Sequence, residues 1–89
     1  MYKLDFDRWR KFAIENGQSI AVIHWVAGET PFRWTYASLL STAEIFALHL
    51  KERGVSPGEV CALVIRHNRF FYPLYLGISI LGAIPSVLA

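Results

Sequence analysis

Eighty-nine residues with a formal net charge of +2 make one domain or less. With 54% hydrophobic and only 18% charged side chains, the chain is too apolar to be disordered. Its single cysteine excludes an intramolecular disulfide scaffold, and a small net charge without a basic cluster gives little support to nucleic-acid binding. What remains is a membrane protein, an obligate oligomer or a piece of something larger.

The first predicted element is an amphipathic helix over residues 5–15, within an N-terminal segment 1–17. Phe6, Trp9, Phe12 and Ala13 fall on one face at helical spacing. Asp5 and Asp7 lie in its first turn, where negative charge complements the helix dipole, and Gly17 is a natural stop. Ser19 to Val26 is β-branched and aromatic and reads as a strand. The turn residues Ala27 to Pro31 separate it from a second short strand, Phe32 to Thr35, so residues 19–35 are predicted to form a hairpin.

The clearest helix covers 36–54. Tyr36, Leu39, Leu40, Ala43, Phe46, Ala47 and Leu50 make its apolar stripe. Thr35 is placed to cap it. Ser38 stands where a capping box calls for Glu or Gln, so the box reads as half built. Lys51, Arg53 and Gly54 suit its C-terminal end.

Ser56-Pro57-Gly58-Glu59 has type II turn chemistry. Val60 to Ile65 shows no polar alternation, which predicts a strand covered on both faces, as in a parallel sheet. A helix over 70–82 follows, with Pro73 in its first turn and Gly82 ending it. Ala83 to Leu88 reads as another strand, with Pro85 at its start or on an open side. Residues 60–88 are thus predicted to form a right-handed βαβ unit. The fold class is α/β: a hairpin and a βαβ unit with covering helices, in one incomplete segment spanning 1–89.

All but two of the charged side chains precede residue 60. The exceptions are Arg66 and Arg69, and Phe70 to Ala89 carries no charge at all. That uncharged run is long enough for a transmembrane helix. Its two prolines and two glycines argue against one, because they fall where a helix start, a helix stop and a strand start want them. The N-terminus has early acidic residues and no apolar run, unlike a signal peptide. Together with the lone Cys61, this points to a reducing, cytoplasmic setting.

Few residues carry candidate chemistry. Cys61 reads as a small buried hydrophobe with no basic sequence neighbour to activate it. His24, His49 and His67 stand far apart, none at metal-ligand spacing from a Cys, His or carboxylate. His24 reads as a strand residue facing a polar edge and His49 as solvent-facing on the main helix. His67 lies in the loop after a parallel strand, where α/β folds place ligands. Asp5, Asp7, Glu44 and Glu52 read as caps or solvated faces, not a catalytic pair. Arg66 and Arg69 precede a helix N-terminus, a place for an anion, although solvating a loop is the simpler role. Trp9, Phe12, Trp25, Phe32 and Trp34 read as packing, with Trp34 positioned as a hydrophobic staple beside the Thr35 cap. No catalytic, cofactor-binding or metal-ligating residue is assigned.

The order of these pieces resembles the opening of the acyl-adenylate-forming (AMP-binding) enzymes, acyl-CoA synthetases among them. The resemblance covers roughly residues 19–89. It rests on Ala21-Val22-Ile23, then Trp34-Thr35-Tyr36, then a helix with Leu39, Ala43 and Leu50 ending in Gly54-Val55. Pro57-Gly58-Glu59 comes before a buried strand, His67-Asn68 before Leu76-Gly77-Ile78, and Gly82-Ala83-Ile84-Pro85 closes the set. Glu59 and Ser38 depart from the Asp and Glu that the family favours.

The resemblance implies the first part of the large N-terminal domain of a carboxylate-activating ligase, which forms an acyl-AMP and then usually an acyl-CoA. It implies ATP, Mg²⁺ and coenzyme A for the whole enzyme and none of them for this segment. The family's Ser/Thr/Gly-rich phosphate loop ending in Pro-Lys-Gly, its ribose-holding Asp and its C-terminal-domain Lys have no counterpart in residues 1–89. The expected partner is the remainder of such an enzyme, or a second copy covering exposed apolar surface. The acid activated is not specified by this segment. A small free-standing interaction module and a small membrane-associated protein remain as alternatives.

Overall fold

The computed structural model describes residues 6–64 and 68–88. They form α1 (Phe6–Glu15), β1 (Ile20–His24), β2 (Phe32–Thr35), α2 (Tyr36–Glu52), β3 (Val60–Leu63), α3 (Phe71–Ile80) and β4 (Ile84–Val87). The class is α/β. β1 and β2 pair antiparallel as a hairpin, with an irregularity between Ile20 and Val22. β3 and β4 pair parallel, Val60 beside Ile84 and Leu63 beside Val87, with α3 as their crossover. Among the described residues the two sheets share no strand pairing.

α2 joins the parts. Its buried side chains Leu39, Leu40, Ala43 and Ala47 fall on one stripe, as the apolar period requires. Thr35 caps it through a complete capping box, not the half-built one expected. The Ser38 amide donates to Thr35 Oγ1 at 3.1 Å, and the Thr35 amide donates to Ser38 Oγ at 3.0 Å. A serine hydroxyl at the third helical position is long enough to reach back.

α2 ends in a Schellman motif. The Gly54 amide donates to Lys51 and the Val55 amide to Leu50, with Gly54 at φ +89°. α3 ends the same way: the Gly82 amide donates to Ser79 and the Ala83 amide to Ile78. In both, the chain leaves the helix by turning an apolar residue, Val55 or Ala83, back onto the core of Leu63, Ile78 and Ala83. Pro73 sits in the first turn of α3, where an N–H would have no intrahelical acceptor.

α3 lies against α2 at close range because Gly77 has no side chain. A Cβ there would stand 2.8 Å from the Ala43 carbonyl oxygen and 3.2 Å from Phe46 Cβ. At the other end, α1 is attached through Ala13, which is fully buried, and through the rings of Trp9 and Phe12 against Tyr36.

A further expectation fails as well. β3 is covered on one face only. Cys61 and Leu63 face the core, whereas Val60 is 66% and Val64 71% exposed. Ile84, beside Val60 on that same face, is also exposed. An unbroken apolar run suits two buried faces, as parallel strands usually have, but the described residues cover one of them. No described helix is long and apolar enough to cross a membrane; the uncharged tail is divided between α3 and β4.

Candidate functional site

The polar and aromatic side chains converge where the hairpin meets the segment leading into α3. Trp34, only 3% exposed, has its ring 5.0 Å from Phe32 and 5.8 Å from Phe70, both edge-on. Its indole N–H donates to the Arg69 carbonyl at 3.0 Å. The Arg69 guanidinium lies 4.4 Å over Phe32 and 5.5 Å over Phe70, a cation–π arrangement. Trp34 therefore does more than flank a helix cap: it ties β2 to the start of the βαβ crossover.

A second link runs parallel to the first. His24, at the end of β1, hydrogen-bonds through Nδ1 to the Tyr72 hydroxyl at 3.2 Å, with the two rings edge to face. Asn68 Oδ1 accepts from the Phe70 amide at 2.8 Å and shapes the turn into α3. Around these links lies a shallow, open depression of 420 Å³, lined by His24, Glu29, Thr30, Phe32, Asn68 and Arg69.

The depression is lined by one guanidinium and one carboxylate, and among the described residues neither has an ion-pair partner. Among the described residues, the histidine–hydroxyl pair His24–Tyr72 has no carboxylate hydrogen-bonded behind the imidazole to complete a nucleophile–base–orienter relay. Among the described residues no group of three or more His, Cys, Asp or Glu side chains is placed to hold a metal ion.

The other sequence candidates are dispersed. Cys61 is a free, half-buried thiol on β3. His49 is exposed in the last turn of α2, and Glu44 and Glu52 are exposed along the same helix. Asp7 is exposed in the first turn of α1. Asp5, Arg66 and His67 lie outside the described residues. Sequence reasoning missed the Trp34–Arg69 and His24–Tyr72 links. Both join residues far apart in the chain, and no local period marks such a pair.

No protein-family model matches this sequence, and no curated protein does. Solved structures do match in fold. A fatty acyl-adenylate ligase from L. pneumophila, in complex with acyl adenylate and pyrophosphate, superposes with a TM-score of 0.83 at 22% identity, over 92% of this chain and 14% of its own. A fatty acid AMP ligase from Legionella pneumophila gives 0.79 at 23%, over 91% of this chain and 14% of its own. A Mycobacterium tuberculosis fatty acyl CoA synthetase gives 0.73 at 28%, over 92% and 15%. The fold is that of the N-terminal region of the adenylate-forming enzymes, the group whose opening the sequence resembles. The chain spans about one-seventh of the length of the structures it matches.

Proposed function

We propose that this chain is the N-terminal structural segment of an ATP-dependent carboxylate-activating ligase, one that forms an acyl-AMP and passes the acyl group to coenzyme A. By itself the segment is not catalytic. The observation that carries this reading is the match, over more than nine-tenths of the chain, to small portions of fatty acyl-adenylate ligases and a fatty acyl CoA synthetase. The motif order Trp34-Thr35-Tyr36, Pro57-Gly58-Glu59 and Gly82-Ala83-Ile84-Pro85 supports it independently.

In this reading ATP, Mg²⁺ and coenzyme A are held elsewhere in the enzyme. The segment contributes packing: a capped helix pair, α2 and α3, and a two-stranded parallel sheet whose open face receives other parts of the large domain. Among the described residues, the one guanidinium and one carboxylate lining the depression at the hairpin–α3 junction make no phosphate cradle. The class of acid is a fatty or small aromatic carboxylate, the fatty alternative being supported by the structural neighbours. A cytoplasmic setting goes with this reading, supported by the lone Cys61.

The test is ATP–pyrophosphate exchange by the purified 89-residue chain with fatty and aromatic acids. No exchange is expected. Exchange above background with any acid would overturn the assignment of a purely structural role.

A further inference from the structure

The sequence has two asparagines, and one of them, Asn16, is followed by glycine. That pairing has a chemistry of its own. The Gly17 amide nitrogen attacks the Asn16 side-chain carbonyl carbon. A bond forms between that nitrogen and Cγ, the Cγ–Nδ2 bond breaks, and ammonia leaves with the amide proton. A succinimide ring results. Water then opens the ring at either carbonyl and gives aspartate or isoaspartate. Glycine favours the attack because it has no side chain to crowd the nitrogen and leaves the backbone free to turn.

In the folded chain the rotations that this attack needs are held. The Asn16 side-chain amide donates to the Phe12 carbonyl at 2.9 Å, and the Asn16 main-chain amide donates to the same oxygen at 2.9 Å. The side chain is thereby curled back along α1. On the other side, the Asn16 carbonyl accepts from the Ser19 amide at 2.9 Å and the Gly17 carbonyl from the Ala37 amide at 3.1 Å. Gly17 lies so near α2 that a Cβ on it would stand 3.3 Å from Ala37 Cβ. These holds depend on α1 staying docked, through buried Ala13 and through Trp9 and Phe12 on the Tyr36 ring.

We propose that Asn16-Gly17 is a site of spontaneous deamidation that the docking of α1 keeps closed, so that it reacts when α1 lifts from α2 by local opening. Reaction also weakens reclosing. Aspartate at 16 loses the Nδ2 donor to the Phe12 carbonyl. It also puts a negative charge at the C-terminal end of α1, where the helix dipole disfavours it. Isoaspartate lengthens the main chain by one carbon between two residues whose carbonyls are tied to Ser19 and Ala37. The modification is a one-way switch that records the opening of α1. This inference does not rest on the ligase reading.

Ageing the purified 89-residue chain in neutral buffer, with and without denaturing urea, tests it. Tryptic peptides covering residues 12–33 and Asn68 are followed by mass spectrometry for conversion of amide to acid. Asn16 is expected to convert at least about tenfold more slowly in native buffer than in urea. In urea, where packing plays no part, Asn68 before Arg69 is expected to lag behind Asn16, and Gly17→Ala is expected to slow Asn16. Tyr36→Ala removes the ring on which Trp9 and Phe12 rest and is expected to speed conversion in native buffer. Far-UV circular dichroism shows whether that variant keeps its fold; if it does not, the native-to-urea ratio of the wild type still decides. Asn16→Asp, made directly, is expected to be cut by trypsin at Lys11 sooner than wild type. Equal wild-type rates in native buffer and urea, no conversion of Asn16 in urea, a folded Tyr36→Ala chain with no faster conversion, or an Asn16→Asp chain cut no sooner would overturn the proposal.

Discussion

The indole N–H of Trp34 donates to the main-chain carbonyl of Arg69 across 3.0 Å and 35 positions of sequence. The same arginine lays its guanidinium on Phe32, two residues before Trp34. These contacts clasp the hairpin to the βαβ unit, two sheets that share no strand pairing among the described residues. Trp34→Phe keeps most of the ring volume and removes the hydrogen bond. It is expected to lower stability by about 1 kcal/mol, whereas Trp34→Ala costs about 3–5 kcal/mol. Urea unfolding curves of the two variants separate these terms. An unchanged midpoint for Trp34→Phe would remove the hydrogen bond from the account.

Gly77 gives a prediction whose sign is informative. In a helix interior, glycine to alanine ordinarily gains about 1 kcal/mol. Here the new methyl group would meet the Ala43 carbonyl oxygen at 2.8 Å, and that atom belongs to helix backbone that cannot swing aside. Gly77→Ala is therefore expected to destabilise by about 1–3 kcal/mol. A gain in stability would mean that α2 and α3 are not packed this closely.

The serine-built capping box makes a smaller claim. Thr35→Ala removes the acceptor for the Ser38 amide and is expected to cost about 1 kcal/mol. Ser38→Ala leaves that bond in place and removes the hydroxyl's contacts with the Thr35 amide, hydroxyl and carbonyl, none of which holds an otherwise unpaired helix amide, so its cost is smaller. Ser38→Glu restores the commoner box residue and is expected to be near neutral. Thermal melts of the three variants rank them. A greater loss from Ser38→Ala than from Thr35→Ala would contradict this division of labour.

Much of the fold is legible in the sequence because its signals are local. The period of Leu39, Ala43 and Ala47, the glycines at 54 and 82, and the Pro57-Gly58 turn each act over a few residues. The placement of Pro85 follows from one missing N–H. The half-built cap misjudged the reach of a serine hydroxyl. The doubly covered β3 fails for a different reason: an apolar run shows that both faces suit burial, not that a neighbouring element covers each of them. The junction between hairpin and α3 was illegible because Trp34 with Arg69, and His24 with Tyr72, meet only after tertiary folding.

The central claim is that these residues are an interchangeable structural segment of a carboxylate-activating ligase. A chimera tests it most directly: the matching portion of the L. pneumophila fatty acyl-adenylate ligase is replaced by residues 1–89, and fatty-acid-dependent ATP–pyrophosphate exchange is measured. The account predicts a folded chimera that retains exchange, while the isolated chain shows none. A folded chimera without exchange would contradict it.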